Sequence, residues 1–210
     1  MGRYIDEKAW KEYDEFDGQE IHAQILIPVP VEKAFDGWIS HIWKGIGMRI
    51  GGAAILRNGS GRGCVGSIRR VSGGLREEIT SSGEPIPNSD QIASISYRLL
   101  PGFFPTTHHM GFVRFVPADS ASTLVVWEAK LIPSLFGSIF CCGGTILRFV
   151  SRFFFKKALE SLKNRVAALD GSNATDNDIL RNNESDVLKS YESMQERRLE
   201  SQFTSERDSK

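Results

Sequence analysis

Residues 147–169, LRFVSRFFFKKALESLKNRVAAL, decide the fold because their apolar side chains recur at a helical spacing. The apolar positions are Leu147, Val150, Phe154, Ala158, Leu162, Val166 and Leu169. Lysine and arginine fall mostly between these positions. The pattern predicts a long C-terminal helix whose apolar face must be buried against another element.

The residues before this helix alternate with a period of two, which is typical of β-strands. The first alternating set is Ile21, Ala23, Ile25 and Ile27. Pro28 ends that strand, and Pro30 opens a short helix with an apolar stripe. Six further strands are predicted at residues 53–57, 66–71, 75–80, 92–99, 109–116 and 123–131.

This order of elements predicts an α+β helix-grip fold. A curved antiparallel β-sheet of about seven strands wraps around the long C-terminal α-helix, with short helices after the first strand. Composition divides the chain into an N-terminal extension at 1–18, a domain at 19–169 and a polar C-terminal tail at 170–210. The tail is either disordered or forms one weak helix.

Composition excludes several classes of protein. The chain has 210 residues, 40% of them hydrophobic, which is enough to build a core. Lys plus Arg and Asp plus Glu number 26 each, so no overall field favours nucleic acid. Three cysteines, two of them adjacent, do not form a secreted disulfide framework, and the N-terminus lacks signal-peptide character. We therefore expect a cytoplasmic protein that does not bind nucleic acid.

Several motifs, taken in this order, resemble the polyketide cyclase/dehydrase-like branch of the START and birch-pollen-allergen (SRPBCC) superfamily. The motifs are PVEKAFD at 30–36, GSIR at 66–69, REEI at 76–79, GFVRF at 111–115 and TLVVW at 123–127. The resemblance covers residues 19–169. It implies a START-like, helix-grip domain with a hydrophobic ligand cavity between sheet and helix.

Arg69 and Glu77 are the most informative polar residues of the predicted cavity. If residues 72–74 form a three-residue turn, Arg69 faces Glu77 across the hairpin. Glu77 shares its side of the strand with Leu75 and Ile79, so an acid lies on an otherwise apolar face. Two interpretations stand: a cross-strand ion pair with no ligand role, and a pair that anchors a ligand.

Strand parity adds further residues to the predicted cavity wall. His109 shares a face with Gly111, and Tyr97 shares one with Leu99. The full set of predicted ligand-binding residues is Arg69, Val71, Glu77, Ile79, Tyr97, Leu99, His109, Gly111, Trp127, Phe154 and Ala158. His109 and Tyr97 are equally compatible with pocket lining and with plain core packing.

Neither a metal nor a cofactor is predicted. His108 and His109 are adjacent on a strand and point to opposite faces, so they cannot bind one ion. Residues 61–66, GRGCVG, match the dinucleotide fingerprint, but a strand rather than a helix follows them. We interpret these glycines as a loop, which together with residues 101–107 would gate the cavity.

Three functions remain open from the sequence. The first is a carrier or sensor of a lipid, sterol or polyketide-like compound. The second is a cyclase or dehydratase in which Glu77 and His109 transfer protons. The third is peripheral membrane contact through Cys141, Cys142 and the phenylalanines at 153–155, namely Phe153, Phe154 and Phe155. The sequence does not specify the ligand or the oligomeric state.

Overall fold

Seven antiparallel strands form one sheet in the order β1-β7-β6-β5-β4-β3-β2. The computed structural model describes residues 3–45, 53–71, 74–87, 89–102, 106–135 and 145–170. The strands are β1 (Gln19–Ile27), β2 (Ala54–Arg57), β3 (Ile68–Arg70), β4 (Arg76–Gly83), β5 (Ala93–Leu99), β6 (Thr106–Pro117) and β7 (Thr123–Pro133). The predicted meander is confirmed, because each strand from β2 to β7 pairs with the next along the chain.

The helices are α1 (Glu7–Glu15), α2 (Val31–Gly37), a π-helix (Trp38–Trp43) and α3 (Thr145–Asp170). Helix α3 packs against β1, α2 and the π-helix. The short helix predicted after Pro30 consists of two elements, α2 and the π-helix. The wider turn of the π-helix lets Trp38, Ile42 and Trp43 all be buried, which an uninterrupted 3.6-residue spacing would not predict.

The main core lies between α3 and one face of the sheet, which we call the interior face. Alternate residues of β1 supply Ala23, Ile25 and Ile27 to it, and β7 supplies Val125 and Trp127. Helix α3 contributes Leu159, Leu162 and Val166 from its second half. The helix-grip architecture is thus confirmed: the period-two face of the sheet and the helical face of α3 bury each other.

The N-terminal segment packs on the opposite, outer face of the sheet. Asp6 caps α1 by accepting a hydrogen bond from the Ala9 backbone N–H at 3.0 Å. Behind α1, Arg114 and Glu128 form a buried ion pair on β6 and β7. Burial alone would raise the pKa of Glu128, but Arg114 and His22 together lower it below its usual value.

Among the described residues, no helix is long and apolar enough to cross a membrane. Cys141 and Cys142 lie outside the described residues, and so does the predicted tail beyond residue 170. The described residues belong to one compact unit within residues 1–171.

Candidate functional site

The interior face carries the predicted pair of Arg69 and Glu77. They lie directly opposite each other in the antiparallel register of β3 and β4, as the hairpin spacing predicted. Arg69 Nε donates to Glu77 Oε2 at 2.6 Å, and the two side chains are only 6% and 12% exposed. A charge-assisted bond of this length in a buried setting keeps both groups in place.

Arg69 also closes the end of the π-helix. Its Nη1 donates to the backbone carbonyls of Ile42, at 2.5 Å, and of Trp43, at 3.2 Å. Its guanidinium lies 4.3 Å from the centroid of the Trp43 ring. The last carbonyls of a helix have no partner within the helix, and here one side chain satisfies two of them. The bonds to the π-helix favour a structural role for Arg69.

Tyr97 and Trp127 form a second polar contact on the interior face. The Trp127 indole Nε1 donates to the Tyr97 hydroxyl at 2.7 Å. Burial raises the pKa of Tyr97 well above its usual value, so the hydroxyl stays protonated. Gly111 makes room for this ring, because a Cβ there would lie 2.0 Å from Tyr97 Cζ. Gly111 therefore positions Tyr97 and has no side chain to offer a ligand.

His109 brings an unpartnered polar atom to the interior face. Its ring lies 5.7 Å from the Tyr97 ring, measured between centroids. Its Nδ1 is buried and has no hydrogen-bond partner among the described residues. Burial lowers the pKa of His109 to about 4, against the opposing effect of the Glu77 charge. The imidazole is therefore neutral at pH 7 and has one nitrogen available for a ligand.

The remaining predicted residues divide between core and partly buried positions. Ile79, Trp127 and Ala158 are buried in the main core. Val71 and Leu99 are half-buried, at the end of the β3–β4 hairpin and of β5 respectively.

Phe154 is a correction to the predicted set. Its side chain is half exposed and points away from the interior face. Phe155 takes the predicted place, stacking on Trp127 with ring centroids 4.2 Å apart and planes 9° apart. The predicted apolar stripe of α3 holds at Leu147, whereas Val150 and Phe154 are exposed. Three consecutive phenylalanines fit either phase of the helix, so the sequence pattern does not distinguish Phe154 from Phe155.

Sequence reasoning also missed Trp43, whose ring lies under Arg69 and whose indole Nε1 donates to Ser67 Oγ at 2.9 Å. The only signal was the density of tryptophan near residues 38–43.

A cleft of about 530 Å³ opens beside this cluster, where β5 leads into β6. Three residues from the predicted set, Tyr97, Leu99 and His109, form part of its wall. The outer boundary includes Phe16, which follows α1, and the described residues of the β5–β6 connection. The cleft has the size of a small-molecule site. Its wall is mixed, because α1 contributes Glu12 and the outer side of the sheet contributes Arg98, His108 and Met110. Arg69 and Glu77 are not among its lining residues.

The glycine-rich residues 61–66 form a compact loop. A bridge between Ser60 and Val65 closes this loop, and strand β3 follows it. Arg62 pairs with Asp36 on α2, which fastens the loop to the neighbouring helix. The helix N-terminus that a dinucleotide site requires does not follow the loop, in agreement with the sequence interpretation. Among the described residues, no group of three or more His, Cys, Asp or Glu could hold a metal ion.

Solved structures of other proteins share this architecture. TTHA0849 from Thermus thermophilus aligns with a TM-score of 0.54 and 16% identity, over 74% of this chain and 100% of that one. A protein from Nitrosospira multiformis aligns with a TM-score of 0.50 and 15% identity, over 70% of this chain and 96% of that one. The di-domain ARO/CYC protein BexL, from the BE-7585A biosynthetic pathway, aligns with a TM-score of 0.51 and 14% identity, over 70% of this chain and 46% of that one.

No family model and no curated protein matches the sequence. At this level of identity the structural likeness concerns the fold. The chain shares its helix-grip fold with these proteins, in agreement with the fold that the resemblance implied.

Proposed function

We propose that this domain binds a hydrophobic or amphipathic small molecule, such as a lipid, a sterol or a polyketide-like compound, as a carrier or sensor. The observation that carries the proposal is the buried Nδ1 of His109, which has no hydrogen-bond partner among the described residues. His109 lies among the aromatic rings of the interior face and is one of the residues that line the cleft. A buried nitrogen without a partner has a free-energy cost, which a ligand hydroxyl would remove.

The energetics of such a complex follow from the residues present. A ligand that withdraws about 300 Å² of apolar surface from water gains roughly 7.5 kcal/mol, at about 25 cal/mol per Å². The apolar residues of the cleft wall, among them Phe16, Leu99 and Met110, contribute to that gain without selecting a particular molecule. Selectivity then depends on His109, since it would be matched only by a ligand with a polar group in the right place.

Mass spectrometry of an organic extract from the purified protein tests the proposal, followed by titration with fluorescent fatty acid and sterol probes. We expect a co-purifying apolar compound, or saturable probe binding that His109→Gln weakens roughly tenfold, one hydrogen bond being worth about 1.4 kcal/mol. Phe154→Ala is the matched control, because Phe154 lies outside the interior face. An empty extract together with no probe uptake by the folded protein would reject the proposal.

A second candidate function is a cyclase or dehydratase acting on a bound ring or polyketide-like substrate. The observation in its favour is the neutral imidazole of His109, which can accept a proton, near the charge of Glu77. If chemistry occurs, Glu77→Gln should abolish a pH-dependent turnover while probe binding persists. Unchanged turnover in that variant would remove Glu77 from the mechanism.

A further inference from the structure

The first turns of α3 carry apolar side chains on the side that faces away from the sheet. We call the exposed residues of this side the outer patch: Ile146, Phe149, Val150, Phe153 and Phe154. Phe149 is the most exposed of them, at 76%. Their positions follow the i, i+3, i+4, i+7, i+8 spacing of a single helix face.

The outer patch lies opposite the face of α3 that packs on the sheet. The inward side of the same turns carries Leu147 and Phe155, which contact the core. Further along the helix the outward side becomes polar, with Lys157 and Asn164. The patch is therefore local to the start of α3, and the packing of the described residues does not require its side chains to be apolar.

A row of cations borders the outer patch. Arg148, Arg152 and Lys156 follow one another at intervals of four residues, so they line one side of the helix beside the patch. All three are exposed, and none has an acidic partner among the described residues. Lys157 differs, because it pairs with Glu160 at 2.9 Å. Residues 145–156 contain no Asp or Glu.

We propose that the outer patch and this basic row dock the protein onto a membrane surface rich in anionic lipid, with α3 lying along the interface. An interfacial helix buries an apolar face in the boundary between headgroups and acyl chains, while neighbouring Lys and Arg contact anionic headgroups. The charge pattern favours an anionic membrane as the partner of this surface. The chain as a whole is neutral, with 26 charges of each sign, so the cationic row is a local feature.

A second copy of the chain fits the same surface less well. A symmetric contact of patch on patch would bring two basic rows together in a segment that has no acidic residue to neutralise them. A negatively charged bilayer has the complementary charge along the whole row. This inference concerns a different surface from the ligand site, so the two proposals can fail separately.

Sedimentation of the 210-residue protein with vesicles tests the inference. The vesicles are phosphatidylcholine alone or phosphatidylcholine with about 30% phosphatidylserine, the latter at low and high salt. We expect binding to the anionic vesicles that weakens with salt. The variant Phe149→Glu/Phe153→Glu should bind at least about tenfold more weakly, and Arg148→Gln/Arg152→Gln should lose most of the salt dependence.

Leu169→Glu is the matched control, because Leu169 is an exposed apolar residue at the other end of the same helix. It should bind vesicles like the wild type, and unchanged near-ultraviolet circular dichroism would show that all variants are folded. Failure of the wild type to bind anionic vesicles overturns the inference. Equal vesicle binding by wild type and Phe149→Glu/Phe153→Glu also overturns the inference. A third contrary result is a wild type that binds no vesicles but forms a concentration-dependent dimer, which Phe149→Glu/Phe153→Glu abolishes.

Discussion

Arg69 serves two elements at once, because it pairs with Glu77 across a hairpin and caps the carbonyls that end the π-helix. Its guanidinium is almost fully buried, so each of these bonds compensates part of a large desolvation cost. His109 is in the opposite situation, with a buried nitrogen that has no partner among the described residues. Both residues bring polar atoms to the interior face, and mutation can separate their different effects on stability.

Removing one member of the Arg69–Glu77 pair should cost more than removing both. Arg69→Met leaves the Glu77 carboxylate unpaired and buried, so we expect a loss of about 3–5 kcal/mol in the free energy of unfolding. In Arg69→Met/Glu77→Leu no charge remains, and stability should recover by at least about 1 kcal/mol. Urea unfolding of the four members of this cycle measures the coupling. If the losses in unfolding free energy of the two single variants add up to that of the double variant, Arg69 and Glu77 do not stabilise each other.

Protonation of His109 should destabilise the fold in mild acid. The pKa of His109 is lowered from 6.5 to about 4 in the folded state, so the unfolded chain takes up its proton first as the pH falls. The stabilisation is complete above pH 6.5 and is lost progressively as the pH falls toward about 4. Relative to His109→Gln, the wild type should lose about 2 kcal/mol between pH 7.5 and 4.5.

Urea denaturation of both proteins across this range is the measurement. The comparison with His109→Gln removes the effect of carboxylates, which titrate in the same range in both proteins. Parallel stability curves for the two proteins would show that His109 titrates normally and is not buried in solution.

At the scale of elements, α3 has two different faces in its first turns and one buried face in its second half. Leu159, Leu162 and Val166 lie against the sheet, whereas Phe153 and Phe154 remain half exposed. Phe155 belongs to the buried face, where its ring stacks on Trp127. The three consecutive phenylalanines therefore have distinct roles, and only one of them contributes to the core.

Phe155→Ala should destabilise the protein far more than Phe154→Ala. The first substitution removes a ring stacked at 4.2 Å on Trp127 and leaves a cavity, for which we expect a cost of about 2–4 kcal/mol. The second shortens a half-exposed side chain and should cost less than about 1 kcal/mol. Thermal unfolding monitored by circular dichroism compares the two. A larger loss of stability in Phe154→Ala than in Phe155→Ala would mean that Phe154 faces the core, as the sequence pattern predicted.

At the scale of the whole molecule, the sheet is covered on both faces. Helix α3 covers the interior face, and the N-terminal segment covers part of the outer face with Tyr4, Trp10 and Tyr13 around Phe112. The rings of Tyr4 and Trp10 stack at 4.5 Å, and the Arg114 guanidinium lies 5.1 Å from the Trp10 ring centroid. Residues 3–18, which composition sets apart as an extension, thus shield the buried Arg114–Glu128 pair from water.

Substitutions in this segment should therefore affect the stability of the whole domain. Trp10→Ala removes the stack on Tyr4 and the cation–π contact with Arg114, and we expect a loss of about 2 kcal/mol. Lys11→Ala is the matched control on the same helix, because its side chain is largely exposed, and it should change stability by less than about 0.5 kcal/mol. Equal, small effects in both variants would mean that α1 contributes little to folding stability.

The sequence alone predicted the order of strands and helices, the meander and the register of Arg69 opposite Glu77. These features depend on local periodicity and turn length, which one stretch of chain carries by itself. The parity of Tyr97 and His109 follows for the same reason, since alternate residues of a strand share a face.

Only the tertiary structure decided the remaining features. The phase of α3 at Phe154 and Phe155 depends on which ring finds Trp127, and the capping of the π-helix by Arg69 joins residues distant in sequence. The role of residues 3–18 became clear from their contact with Phe112 and Arg114. Each of these results from long-range packing and burial, and neither a local spacing nor a composition contains that information.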